Sequence, residues 1–282
     1  MCDYKEKGRK KMKYLQNLHT HCTYCDGKDT PEEMIAYALQ KGFDSLGFSS
    51  HSYAYYSNYG LITREKNAEY RKVIPELKKK YADRIKIYMG IEYEMYCEED
   101  QTGYDYLIGA VHYLKHPDGW VDFDRGGDWV QDLIKKFYGG DGLKFAKAYY
   151  EAMADMPNWG KFDIIAHFDI ITKNIETHAL FDTESKAYLD AALGAMEALR
   201  GKIPLFEVNT GAISRGYRTS PYPTVTLLKH FKEMGFNAII SSDCHDGRYL
   251  DCHFNESAEL LKECGFKEKF VLTDEGFVPA EL

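Results

Sequence analysis

From Tyr14 onward, short apolar runs alternate with longer stretches in which apolar positions recur every three or four residues. The strand-like runs cover 14–18, 45–48, 85–91, 106–111, 163–166, 205–208 and 238–240, and 270–272 is a candidate eighth. Each is short enough to be a buried strand, so alternating β and α units around a mostly parallel sheet are expected. One helix has legible ends: Thr30 as N-cap, Pro31 at the first helical position, Glu33 completing a capping box and Gly42 as the left-handed stop. Its Gly42-Phe43 junction recurs at Gly235-Phe236 and Gly265-Phe266, each time after a charged last turn. Equivalent helix exits in a repeating unit are the simplest reading.

The interval 116–160 interrupts this rhythm with Gly126-Gly127, Gly139-Gly140 and Gly142, and it holds Trp120, Trp129 and Trp159. It is too long for a plain connection and reads as an insertion over the site, a candidate lid or recognition segment; a partner-packing surface is the alternative. No low-complexity linker divides the chain, so a single domain over 1–282 is expected. A basic leader, 1–11, precedes the first strand, and Met12 is an alternative start.

Composition narrows the class. The 282 residues carry 36 Lys and Arg against 44 Asp and Glu, a formal charge of −8 that argues against general attraction to nucleic acid or anionic membrane. No run of 18 apolar residues and no signal-like leader is present, which points to a soluble, cytoplasmic protein. Seven scattered cysteines fit reduced thiols better than a disulfide scaffold. Cys22-x-x-Cys25 could be redox-active or half a zinc knuckle, but two thiols flanking another site is the preferred reading.

The chemistry lies in what ends each strand: His19-Thr-His21, His51, Glu92, His112, His167, Glu207-Val-Asn209 and Asp243-Cys-His245. The carboxyl ends of parallel strands are where a closed barrel gathers its site. The two-residue spacing of His19 with His21, Glu207 with Asn209, and Asp243 with His245 puts both members of each pair on one face. A lone strand-end histidine is usually a satisfied core residue; six of the ten histidines at strand ends are harder to dismiss. So many imidazoles and carboxylates exceed one tetrahedral ion and suit two or three divalent cations, zinc, iron or manganese, with hydrolysis the expected reaction.

These motifs resemble those of the PHP (polymerase and histidinol phosphatase) superfamily, carried by His19-Thr-His21, His51, Glu92, His112, His167 and Asp243-Cys-His245. The stretch from Glu207 through Arg215 and Arg218 to Pro223 resembles the histidinol-phosphatase branch. The resemblance implies a distorted (β/α)7 TIM-like barrel of the PHP fold, three metal ions, and hydrolysis of L-histidinol phosphate to L-histidinol and phosphate in histidine biosynthesis. It implies His19, His21, Glu92 and Asp243 on one ion, Glu92 as a bridge with His112 and His167 on a second, and Asp26, His51 and His245 on a third. Cys22 and Cys244 depart from the usual pattern, where small non-thiol residues are commoner, and would either compete for metal or make the site oxidation-sensitive.

Phosphate needs local positive charge beyond the metals, for which Arg215 and Arg218 are the first candidates and Lys173 a weaker one. Asp243 and His245, or a metal-bound water, are candidates to protonate the leaving alkoxide. Glu207 is expected to meet the substrate's ammonium, with Asn209 beside it, and the Tyr53, Tyr55, Tyr56 and Tyr59 group could stack on its imidazole although packing is the blander account. His116, His178, His230 and His253 fit no spacing and read as structural or solvated, with His253 close enough to Asp243 to support the site indirectly. The rival readings are a PHP-type phosphoesterase for another small ester or nucleotide, an amidohydrolase-type metal hydrolase, and a non-catalytic metal-binding module.

Overall fold

A computed structural model describes residues 14–57 and 63–282; the basic leader, Met12 and Tyr59 lie outside them. Seven strands form one parallel sheet in chain order: β1 (Gln16–Asn17), β2 (Ser45–Phe48), β3 (Lys86–Glu94), β4 (Tyr106–Ala110), then, after a small antiparallel ribbon of β5 (Tyr113–His116) and β6 (Gly119–Asp122), β7 (Ile164–Ile165), β8 (Leu205–Asn209) and β9 (Asn237–Ser241). Every expected barrel strand is present. The ends meet beyond the strands, where the His21 amide donates to the Cys244 carbonyl at 2.8 Å and Thr20 bridges Cys244 in parallel. Closure therefore falls at the carboxyl rim, bringing His19-Thr-His21 against Asp243-Cys-His245.

The wall is built from α1 (Pro31–Lys41), α2 (Arg64–Lys80), α3 (Gly127–Tyr138), α4 (Gly142–Asp155), α5 (Lys186–Leu199), the single turn α6 (Gly211–Ser214), α7 (Val225–Glu233) and α8 (Phe254–Glu263). For α1, Thr30 and Glu33 form the reciprocal capping box and Gly42 takes φ 72°. Gly235 and Gly265 take φ 82° and 90°, and each following Phe donates its amide back into the last turn, Phe236 to Phe231 and Phe266 to Leu261 at 3.0 Å. The three junctions are the same left-handed helix exit.

Two expectations change. The apolar run 270–272 is not an eighth barrel strand; it lies in β10 (Glu268–Thr273), paired antiparallel with β11 (Gly276–Glu281) in its own sheet. This hairpin stoppers the barrel, because Leu272 joins Leu18, Tyr106, Ile108, Ile164, Leu205 and Ile239 in the interior cluster while Gln16 exchanges hydrogen bonds with the Leu272 backbone. Helix α4, inside the 116–160 interval, is wall: Phe145, Tyr149, Tyr150 and Met153 are buried, and the Tyr150 hydroxyl donates to that of Tyr188 on α5 at 2.7 Å. The β5–β6 ribbon and α3 come before α4 in the chain. No helix among the described residues is long and apolar enough to cross a membrane.

Candidate metal centre

Backbone geometry aims the site residues before any metal is considered. His19, Thr20 and His21 leave β1 fully buried. Asp26 is carried back to them by a turn so tight that a Cβ on Gly27 would lie 2.4 Å from the Cys22 nitrogen. Asp243 adopts φ 46°, a left-handed conformation that aspartate tolerates better than most residues, and such strain clusters where function demands it. Its Oδ1 lies 3.2 Å from His21 Nε2.

The side chains converge on three groups whose candidate ligand atoms lie within 4.8 Å of one another: His19, His21 and Asp243; Glu92, His112 and His167; and His21, Asp26, His51 and His245. Glu92 links them. Its Oε1 lies 2.9 Å from His167 Nε2 and 3.5 Å from His112 Nε2, while its Oε2 lies 3.3 Å from His19 Nε2, 3.5 Å from His21 Nε2 and 2.8 Å from His51 Nδ1. One oxygen faces each side, the disposition of a bridging carboxylate.

Hydrogen bonds behind the rings set their tautomers. Glu207 takes His19 Nδ1 at 2.9 Å and Glu94 takes His112 Nδ1 at 2.6 Å, whereas His245 Nδ1 lies between the Asp243 carbonyl at 3.0 Å and the donating Arg215 NH1 at 3.1 Å. The two carboxylate contacts leave the Nε2 lone pairs of His19 and His112 aimed inward, as imidazole ligands require. The His112 and His167 Nε2 atoms stand 3.2 Å apart, and His19 Nε2, His21 Nε2, Asp26 Oδ1 and Glu92 Oε2 are buried without a hydrogen-bond partner. Buried lone pairs left to face one another are costly unless a cation joins them, so the donor set fits divalent metal.

Electrostatics agrees. Burial opposes charge on Glu92, yet His19, His51 and His112 hold its carboxyl well below the usual range. Burial likewise opposes protonation of His112, but Glu92 and Glu94 push it up to about 9; the pocket seeks positive charge. His21 is pushed down to about 3 by burial and by His245 and His51, which keeps it neutral.

Several expected contacts are placed elsewhere. Glu207 does not face the cavity: it is fully buried and accepts from His19, the His167 amide at 2.6 Å, Asn209 Nδ2 at 2.7 Å and the Ser241 hydroxyl at 2.6 Å, which leaves no lone pair for an ammonium. Asn209 is held between Glu207 and the Gly211 amide. A shared face on β8 therefore serves the histidines rather than a ligand. Lys173 is committed to Asp124 at 2.8 Å, with Tyr217 beneath it. Arg218 is buried, donates to Thr172 and Ser220 and lies over the Tyr222 ring, with Nε unpartnered.

Arg215 is at the centre: NH1 donates to the Asp243 carbonyl at 2.9 Å and NH2 to Asp243 Oδ2 at 3.0 Å. Gly211 permits this approach, since a Cβ there would lie 2.8 Å from Arg215 NH2. The thiols stay outside the three groups. Cys22 faces Ser50, Cys244 donates to the Asp246 carbonyl, and Cys25 Sγ lies 3.4 Å from His21 Nδ1. Cys22, Cys25, Cys97, Cys244 and Cys264 are free thiols. Tyr56 stacks on Trp120 at 3.9 Å, and His116, His178 and His230 pair with Asp118, Asp128 and Glu233. His253 occupies the N-cap of α8. Sequence reasoning missed Glu94 and Asp124, which period-two spacing alone does not distinguish from ordinary polar positions.

A barrel of seven parallel strands with imidazoles and carboxylates pooled at its carboxyl rim is a TIM-like barrel built around a metal centre. A family model for the PHP domain matches residues 17–211, and the chain belongs to that family. It is 25% identical over 277 residues, 88% of this chain and 86% of the relative, to a Schizosaccharomyces pombe protein named "Probable histidinol-phosphatase". It is 23% identical over 271 residues, 92% of this chain and 93% of the relative, to the histidinol-phosphatase of Lactococcus lactis subsp. lactis. Among solved structures, the histidinol phosphate phosphatase of Lactococcus lactis subsp. lactis, complexed with zinc, L-histidinol and phosphate, matches with a TM-score of 0.73 at 18% identity, over 94% of this chain and 98% of that one.

Proposed function

We propose that this protein is a metal-dependent phosphomonoesterase that hydrolyses L-histidinol phosphate to L-histidinol and phosphate. The observation that carries the reading is Glu92, one oxygen toward His112 and His167 and the other toward His19, His21 and His51, with Arg215 beside Asp243 at the same rim. The names of the relatives and the zinc, L-histidinol and phosphate of the Lactococcus structure support this substrate over another phosphate ester.

Three divalent ions of zinc, iron or manganese are the proposed complement. His19, His21, Glu92 and Asp243 would hold one, Glu92, His112 and His167 a second, and Asp26, His51 and His245 a third. Ions bound there would supply Lewis acidity and lower the pKa of a water for attack on phosphorus. The protein contributes the rest. Glu207 and Glu94 keep the His19 and His112 lone pairs inward. Arg215, whose charge is strengthened by Asp243 although burial opposes it, offers guanidinium N–H groups to the phosphoryl oxygens and fixes Asp243 meanwhile.

The test is phosphate release from L-histidinol phosphate by metal-reconstituted protein, with Glu92→Ala in parallel. Turnover by the wild type and its loss in the variant, with metal content reduced, is expected. Turnover of amides or cyclic ureas in place of phosphate esters would refute the reading.

A further inference from the structure

Resting on that reading, we infer that Asp124 is the specificity-determining carboxylate that receives the substrate's ammonium. The amino group of L-histidinol phosphate sits on the carbon next to the ester methylene, so its receptor must stand close to the phosphoryl site without being a metal ligand. Glu92, Asp26 and Asp243 are occupied as candidate ligands, and Glu207 and Glu94 are spent on His19 and His112. Asp124 is different: its side chain retains 26% exposure, and Lys173 engages only its Oδ1.

Its position follows from the hairpin. Tyr113 pairs with Asp122, and the Phe123 amide donates to the His112 carbonyl at 3.4 Å, so the strand after β6 returns directly onto the His112 strand end and delivers Asp124 there. Asn174 Nδ2 donates to the Arg125 carbonyl at 2.8 Å, tying the same segment to the loop that follows His167. Asp124 thereby stands across the two strand ends that supply His112 and His167. The Lys173 ammonium, 2.8 Å from Oδ1, faces it as a carboxylate and leaves Oδ2 for a second cation.

Such a carboxylate does two things for an ammonium ester. A charge-assisted hydrogen bond from Oδ2 orients the amine, and the negative charge offsets the cations, Arg215 and the metals, that the amine must approach along with the phosphate. Lys173 is then a positioning residue: its bond to Oδ1 and its seat over Tyr217, 4.5 Å from the ring centre, hold the carboxylate in place.

The experiment compares kcat/KM for L-histidinol phosphate with that for its des-amino analogue, 3-(imidazol-4-yl)propyl phosphate, on metal-reconstituted protein. Calorimetric binding of L-histidinol is measured on the same samples. Wild type is expected to prefer the amino ester, and Asp124→Asn to reduce that preference by about 10-fold or more, with L-histidinol binding weakened similarly. Asp124→Glu should restore part of the preference, and Lys173→Met, which loses only the brace on Oδ1, should reduce it by less than Asp124→Asn does. Equal losses on both esters in Asp124→Asn, or loss of the preference in Lys173→Met to the same degree, would overturn the assignment of Asp124 while leaving the phosphatase reading standing. A wild type inert on both esters would overturn the phosphatase reading, and this inference with it.

Discussion

Replacing Glu207 by Gln keeps the shape of the side chain and removes its charge at a point where four donors converge: His19 Nδ1, the His167 amide, Asn209 Nδ2 and the Ser241 hydroxyl. A glutamine offers one accepting oxygen and one donating amide, so two of the donors lose their acceptor in a fully buried site. At roughly 1–3 kcal/mol for each unsatisfied group, the fold should lose about 2–6 kcal/mol, a large share of a typical domain's stability. His19 also loses the anion that fixes its ring, for which a drop in metal affinity of about 10- to 100-fold is expected. Chelator competition on the reconstituted protein, alongside urea unfolding, measures both. Glu207→Gln with wild-type metal affinity and a raised KM for L-histidinol phosphate would refute the reasoning, since that is how a substrate contact behaves.

Other outcomes follow from the same geometry. Arg215→Ala should lower kcat/KM by about 100-fold, and Arg215→Lys should recover little because a point charge cannot make the paired bonds to Asp243; steady-state kinetics decides. Cys25→Ala should weaken metal binding a few-fold by releasing His21 Nδ1, whereas Cys25→Ser should restore it, as dialysis against a metal buffer would show. Lys269, buried and donating to the Tyr14 carbonyl, is pushed down to about 8 by loss of solvent. The native state therefore releases this proton before the unfolded chain does. Relative to Lys269→Met, the wild type should gain stability as pH rises from about 8 to the ordinary lysine value of 10.5, by at most about 3 kcal/mol in parallel denaturation curves. A flat difference across that range would contradict it.

The legible part of this molecule was local. Strand runs, the α1 caps and the recurrent glycine exits depend on neighbours in sequence, and the clustering of histidines at strand ends survived because parallel strands share one rim. Depth was not legible. Period two places Glu207 on the same face as Asn209, but only the closed barrel shows that this face lies behind His19 and not in the cavity. Asp124 was hidden for another reason: its place depends on the β5–β6 register and on Lys173, which lies 49 residues away in the chain. The terminal hairpin had the composition of a barrel strand, yet its tight Thr273–Gly276 turn pairs it with its own continuation.

The central claim is that separated imidazoles and carboxylates gather several cations around Glu92. Anomalous diffraction from crystals of the zinc- or manganese-reconstituted protein tests it most directly. Three adjacent peaks are expected, two of them sharing Glu92 and the third beside Asp26, His51 and His245. A single peak remote from Glu92, or none at the barrel rim, would contradict the account.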